Sequence, residues 1–377
     1  MRRFALLAAF FFAVLFGSAQ ESRGADAKSG DNAALQYWQA IALLPAFGGD
    51  RQKLLEHWKD ASFDSDTLKL LENSRTSLMY VQRAIKKPRC DWGLDFNDGA
   101  DMLMPYLAKL RDLARLSLLH ARYEVSQKQW RAGADEASSV FVLARHAGQE
   151  PVLIAILVGD AIDQMAIETL ALSLPDMDEA AIKTISARLD ALPPAPRVVE
   201  KALLMEKEIG CEWLIRAMQE AERHKEGSWR DVLARVASQE DKSKLGDLHS
   251  LDETLKFARD LLPIYDRMIE LLALPRDDFA RQYDDLVKKI RATNPLGHLV
   301  LPALDKFLEG QHRHDARMAL FKAAIAVVQR GPDALKQIRD PFGDGPFEYR
   351  RFQKGFELKS KLVAKGEQVS LTIGKRD

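Results

Sequence analysis

Pro151–Leu174, PVLIAILVGDAIDQMAIETLALSL, is the most apolar stretch of the chain outside its first twenty residues, and its reading decides the fold. Uniformly apolar, it would be a membrane span. It is not uniform: Asp160, Asp163, Gln164 and Glu168 fall within about 140° of one another on a helical wheel, a polar stripe on an otherwise apolar helix. Charged groups at that density disfavour a lipid environment, so the segment reads as the core helix of a water-soluble domain, its stripe turned to a groove or to solvent. Pro151 suits a helix start and Pro175 ends it.

Outward from this helix, the pattern stays helical in both directions. Upstream, Leu35, Trp38, Ile41 and Leu44 recur at threes before Pro45, and a short helix covers Arg51 to Lys59. Asp64 caps a helix to Lys87 with Leu68, Leu71, Leu78, Val81 and Ile85 on one side. Long helices over Ala100–Ser126 and Gln129–Ala147 follow the loop Cys90–Gly99. Downstream, helices are predicted over Asp176–Leu192, Arg197–His224, Trp229–Ala237, Leu251–Leu274, Pro275–Ala292 and His298–Gln329. Short turns join most of these stripes, so successive antiparallel hairpins, packed as a bundle or an irregular solenoid, are the simplest way to bury them. The fold class is mainly α. Beyond Asp340-Pro341-Phe342, the runs Phe347–Phe352, Phe356–Ser360 and Val369–Ile373 alternate as strands do, predicting a small antiparallel hairpin or three-stranded sheet.

The organisation predicted is a signal peptide over 1–19, a polar lead over 20–30, a helical domain over 31–192, a Pro-rich linker Pro193–Pro196, a second helical domain over 197–339 and the β appendage over 340–377. Arg2 and Arg3, the apolar run Phe4–Phe16 and Gly17-Ser18-Ala19 carry the signal-peptide reading, hence export to the periplasm or beyond. The run rises only about 20 Å as a helix, too short for a stable span. Lys and Arg total 55, against 55 Asp and Glu, which gives no overall attraction to nucleic acid. An oxidising compartment would allow Cys90 and Cys211, the chain's two cysteines, to pair and close a loop of about 120 residues, worth nearly 5 kcal/mol by chain entropy. Two separately buried thiols are the alternative.

Candidate chemistry is sparse. No G-x-S-x-G elbow, Walker loop, dinucleotide fingerprint or H-E-x-x-H occurs, and no cofactor or metal is called for. Asp95-Phe96-Asn97-Asp98-Gly99 misses the calcium-loop spacing, with glycine fifth rather than sixth. His312 and His314 are two apart on a helix and point about 200° away from each other, so they cannot share an ion. Asp160, Asp163 and His312 are the acid/base candidates, and Asp91, Trp92, Asp95 and Phe96 form the candidate partner-binding loop, because an exposed aromatic can anchor a partner. The competing reading has Trp92 plugging the helical core.

Three stretches carry a family likeness. These are Asn32–Ala40 with Leu43-Leu44-Pro45; Cys90-Asp91-Trp92-Gly93-Leu94-Asp95 with Pro105–Arg111; and Asp340-Pro341-Phe342 with Gly345-Pro346 and Tyr349-Arg350. In them the chain resembles a set of exported helical proteins of planctomycete-type bacteria. The resemblance implies export and helices and carries no activity. Together these readings make the expected function that of a non-catalytic scaffold or interaction module of the cell envelope, whose partner is another envelope protein or a second copy. The alternative is an envelope hydrolase with an acidic or histidine-containing site.

Overall fold

The computed structural model describes residues 31–45, 49–193, 199–224, 227–237, 246 and 248–376. The segments read above as signal peptide and polar lead, most of the proline-rich stretch and most of the loop after Ala237 lie outside the described residues. The remainder is mainly helical: α1 (Ala33–Ala42), α2 (Asp50–Glu56), α3 (Ser65–Ala84), α4 (Tyr106–Ser126), α5 (Trp130–Ala147), α6 (Leu153–Ser173) and α7 (Glu179–Asp190) precede the linker. After it come α8 (Val199–Glu206), α9 (Trp213–His224), α10 (Trp229–Val236), α11 (Leu251–Leu271), α12 (Arg276–Thr293), α13 (Gly297–Val300) and α14 (Leu304–Arg330). Strands β1 (Glu348–Phe352), β2 (Gly355–Ala364) and β3 (Glu367–Gly374) close the chain as an antiparallel meander in that order. No described helix is long and apolar enough to cross a membrane.

Local chemistry explains most boundaries. Asp64 accepts the Thr67 amide to start α3, and Asp178 accepts the Ala181 amide to start α7. Two expected helices break. The segment predicted from Ala100 becomes helical only at Tyr106, because Gly99 takes φ 56° and Phe96–Asp101 winds as a tight 3₁₀ turn. Pro302 splits the last long helix into α13 and α14. Between α8 and α9, Lys207–Glu212 forms a π turn, which periodicity alone does not signal.

Alpha1 reverses its expected face. Leu35 and Trp38 are exposed, while Ala33, Ala34, Tyr37 and Ala40 are buried, since small residues let α1 approach α3 closely enough for the Ser77 hydroxyl to reach the Ala40 carbonyl at 2.7 Å. Alpha6 is buried along most of its length. Two apolar clusters organise the molecule, one built from α1–α7, the second half of α14 and the sheet, the other from α8–α13 with Leu153, Ile156, Leu304 and Phe307. Alpha6 and α14 therefore belong to both. A further tie crosses the linker: Glu206 of α8 accepts the Leu153 amide at 3.2 Å, capping α6 from another element.

The sheet is pinned by Asp340. Buried at the turn before β1, it accepts from the Phe342 amide at 3.0 Å and from the Ser360 hydroxyl and Lys361 amide of β2. The Asp-Pro-Phe motif is thus a structural clasp.

Candidate functional site

The residues singled out in the sequence have structural employment. Trp92 is buried, stacked on Tyr106 at 4.1 Å between ring centres and against Tyr37 at 5.8 Å, with Nε1 donating to the His146 carbonyl at 3.1 Å. This corrects its reading as a partner anchor: it plugs the core, because an indole ring of that size gains more from three aromatic neighbours than from water. Asp91 turns its carboxylate back to the Gly93 amide, Asp95 accepts the Asn97 amide, and Phe96 packs partly buried against the first cluster. The loop clasps the protein to itself.

Cys90 and Cys211 are both buried free thiols, one in each cluster. Burial pushes the Cys90 thiol far up and the Cys211 thiol up to about 12, and Cys211 Sγ donates to the Ala258 carbonyl at 3.1 Å. The structure follows the unpaired alternative.

The acidic stripe of α6 faces α14 rather than a groove or solvent. Asp163 is fully buried, with Oδ2 2.5 Å from Arg145 Nη1 and 3.4 Å from His314 Nε2, while His314 Nδ1 lies 3.5 Å from Asp160 Oδ1. Gln311 donates to Asp160, and Glu168 meets Lys59 and Arg317. Gln311, His314 and Arg317 recur every three residues on α14, presenting one polar row to the stripe. A ligand atom from each of Asp160, Asp163 and His314 can be chosen within 4.8 Å of the others. Yet each imidazole nitrogen addresses a different carboxylate, and Arg145 holds the oxygen an ion would take, so the arrangement is that of an ion-pair seam between helices. His312, the other histidine, lies elsewhere, half-buried and edge-on to Phe342 at 5.7 Å; its burial and Arg276 hold its pKa below the usual imidazole range.

Residues that the sequence reading passed over assemble a different site. A cleft of about 710 Å³ opens between α3, α4 and α5. One wall is a single face of α3, on which Leu68, Leu71, Glu72, Arg75, Leu78, Met79 and Gln82 recur at helical spacing. Alpha4 supplies His120, Tyr123 and Glu124, and α5 supplies Glu136 at the floor. His120 Nε2 sits 3.5 Å from Glu124 Oε1, an i, i+4 pair, and its Nδ1 is buried without a hydrogen-bond partner among the described residues. Burial lowers the His120 pKa against the pull of Glu124, favouring the neutral ring.

Glu136 carries the strongest signal in the cleft. The residue is partly exposed, but its carboxylate is engaged from inside the protein: Oε2 accepts from Gln82 Nε2 at 2.8 Å, Oε1 is buried, and the Ser117 hydroxyl stands against the carboxylate. Burial pushes its pKa up to about 7, neighbouring Asp135 and Glu124 adding to the rise and the Ser117 hydroxyl and Gln82 amide opposing it. No protein-family model, curated protein or solved structure matches this chain. The candidate site therefore rests on its own geometry: a concave surface of mixed apolar and polar lining, with a few convergent polar groups and a carboxyl whose pKa is pushed up to about 7. A weak trace exists in sequence, since His120 and Glu124 share a helix face and Glu72, Arg75 and Gln82 interrupt a leucine stripe, but nothing in the sequence says that α3, α4 and α5 turn these faces to one another.

Proposed function

We propose that this protein is an exported helical interaction module that receives a group of its partner in the α3–α4–α5 cleft. The observation that carries the proposal is the cleft itself, in which the Glu136 carboxyl, its pKa raised by burial, lies on a concave surface with Leu68, Glu72, Arg75 and Met79 exposed around it. Burial makes this carboxyl costly to ionise, and a ligand donor or cation would relieve that cost. Export is supported by the sequence of the first nineteen residues, and a binding role by the absence of any recognised reaction motif in the chain. The test is a photo-cross-linking amino acid placed at Met79 in the mature protein in its native envelope, with Lys336 as the exposed control position. A discrete adduct at Met79 and none at Lys336 supports the reading; identical patterns at both refute it.

A second reading has one observation behind it. A carboxyl whose pKa stands near 7, opposite a neutral imidazole, is suited to general acid/base work, so an envelope hydrolase using Glu136 and His120 is the alternative. Glu136→Gln separates the two. Loss of the cellular phenotype with adduct formation at Met79 intact favours catalysis, and loss of both together favours binding.

A further inference from the structure

His314 is buried on α14 and stands between two carboxyls of α6: its Nε2 lies 3.4 Å from Asp163 Oδ2 and its Nδ1 3.5 Å from Asp160 Oδ1. A neutral imidazole carries one N–H and one lone pair. In either neutral tautomer a bare nitrogen would therefore face a carboxylate oxygen at ion-pair distance. The imidazolium, with a proton on each nitrogen, is the form that suits both contacts. We propose that His314 is an imidazolium at neutral pH and that its second proton is a latch, holding α14 on α6 and letting go as the surroundings turn alkaline. This stands apart from the cleft and does not depend on what the cleft binds.

The neighbours set the balance. Arg145 of α5 stands 2.5 Å from Asp163, and Gln311 donates to the other Asp160 oxygen; a guanidinium and an amide donor both favour the carboxylate form. With the imidazole neutral, two carboxylates share one guanidinium; with it charged, the four groups cancel. The charged groups on elements around α14 have partners of their own. Glu168 of α6 meets Lys59 and Arg317, Glu206 of α8 accepts the Leu153 amide, Arg188 of α7 pairs with Asp135, and Asp333 pairs with Lys336. In the sheet, buried Glu357 pairs with Arg376 and Lys359. Arg313 and Asp315, next to His314 along the chain, are exposed. Burial and Arg145 oppose the proton, and two carboxylates in direct contact favour it; the contacts are nearer and decide.

The place of the seam gives the proton its consequence. Alpha6 and α14 contribute to both apolar clusters, with Leu153 and Ile156 from one and Leu304 and Phe307 from the other, so their contact is where the clusters join. A proton bound more tightly in the folded state adds stability that is whole below the pKa of an unfolded histidine and is lost as pH rises through the folded value. The seam is therefore firm in neutral and mildly acidic surroundings and looser in alkaline ones.

Ring-nitrogen NMR of the mature protein, labelled in its histidines and assigned through the His314 backbone, tests the charge directly. At pH 7.5 an ordinary imidazole is about nine-tenths neutral, whereas His314 should show both nitrogens protonated. Denaturant titrations read the consequence: between pH 6 and pH 8 the wild-type unfolding constant should rise at least about fivefold relative to that of His314→Gln, the Glu136 titration being common to both. Hydrogen exchange, corrected for its intrinsic pH dependence, should show α6 and α14 losing protection first as pH rises. The NMR and exchange measurements use the wild type, so the test stands even if the variant does not fold. A His314 ring with one bare nitrogen at pH 7.5 overturns the proposal, as does an unfolding constant that keeps the same ratio to the variant at both pH values. Protection lost elsewhere while the seam holds overturns the latch.

Discussion

Replacing Asp163 with asparagine should cost about 3–5 kcal/mol, the usual penalty for leaving one member of a buried ion pair uncompensated. Asp163 is fully buried and is the closest anion to two cationic or potentially cationic groups, Arg145 at 2.5 Å and His314 at 3.4 Å. With the charge centres taken as about 4 Å apart and an effective dielectric of about 20, the Arg145 attraction alone is worth about 4 kcal/mol. Asparagine keeps one acceptor but turns an NH₂ toward groups that are themselves donors. The Arg145 side chain has little water to fall back on, being 12% exposed. For the 327 described residues the unfolding entropy is about 0.7 kcal/mol/K, so the melting temperature should drop by about 4–7 °C. Calorimetry at pH 7 reads this directly. The double variant Arg145→Met with Asp163→Leu removes both charges and should be more stable than either single change, because apolar replacements satisfy a dry interface without desolvation. A loss below about 1 kcal/mol in Asp163→Asn, or a double variant no better than the singles, would show that the α6–α14 seam is hydrated and that its ion pairs contribute little.

The remaining expectations concern the cleft, one glycine and the thiols. Glu136 has its folded pKa raised to about 7 over the ordinary 4.5, so its neutral form is favoured on folding; its stability contribution is present below the unfolded value and lost as pH rises toward 7. Glu136→Gln should therefore stabilise the protein at pH 8 by about 1–2 kcal/mol, less than the full shift implies because part of the side chain meets solvent, and by nothing at pH 4; denaturant titrations at the two pH values check the sign. Gly99→Ala should lower the melting temperature by several degrees or abolish folding, since a Cβ there would fall 2.0 Å from the Trp213 ring at a φ of 56°. Native protein kept from reductant should retain two alkylatable thiols that react only after unfolding; an intact mass about 2 Da low would instead show that Cys90 and Cys211 pair.

Helix positions were legible in outline from the periodic runs. The Asp64 cap starts α3 as read, whereas α7 starts at Glu179 rather than Asp176 and Pro302 breaks a helix the pattern ran through; the three strands fall on the alternating runs near the C-terminus. These are local effects, settled by side-chain-to-backbone hydrogen bonds and by the two steric periods of the chain. Where a boundary depended on a distant contact, the reading erred. The turn at Gly99 exists because Trp213 occupies the space a side chain would need, and the buried face of α1 is set by how closely α3 approaches.

The same division separates the sites. The polar stripe on α6 could be drawn from sequence, and no described helix is long and apolar enough to cross a membrane. Its direction could not, because an acidic stripe looks identical whether it meets water or a row of Gln311, His314 and Arg317 on a helix about 150 residues away. Trp92 and its loop drew notice by composition, but only packing shows that the ring is enclosed by Tyr37 and Tyr106. Glu136 drew none. By itself the sequence determined the helical class, the main breaks and the small terminal sheet, since those follow from interactions spanning a few residues. Tertiary structure alone decided which carboxyls became ion-paired struts and which one lines a cleft with its pKa raised, because burial and charge environment are sums over neighbours that the chain brings together only on folding.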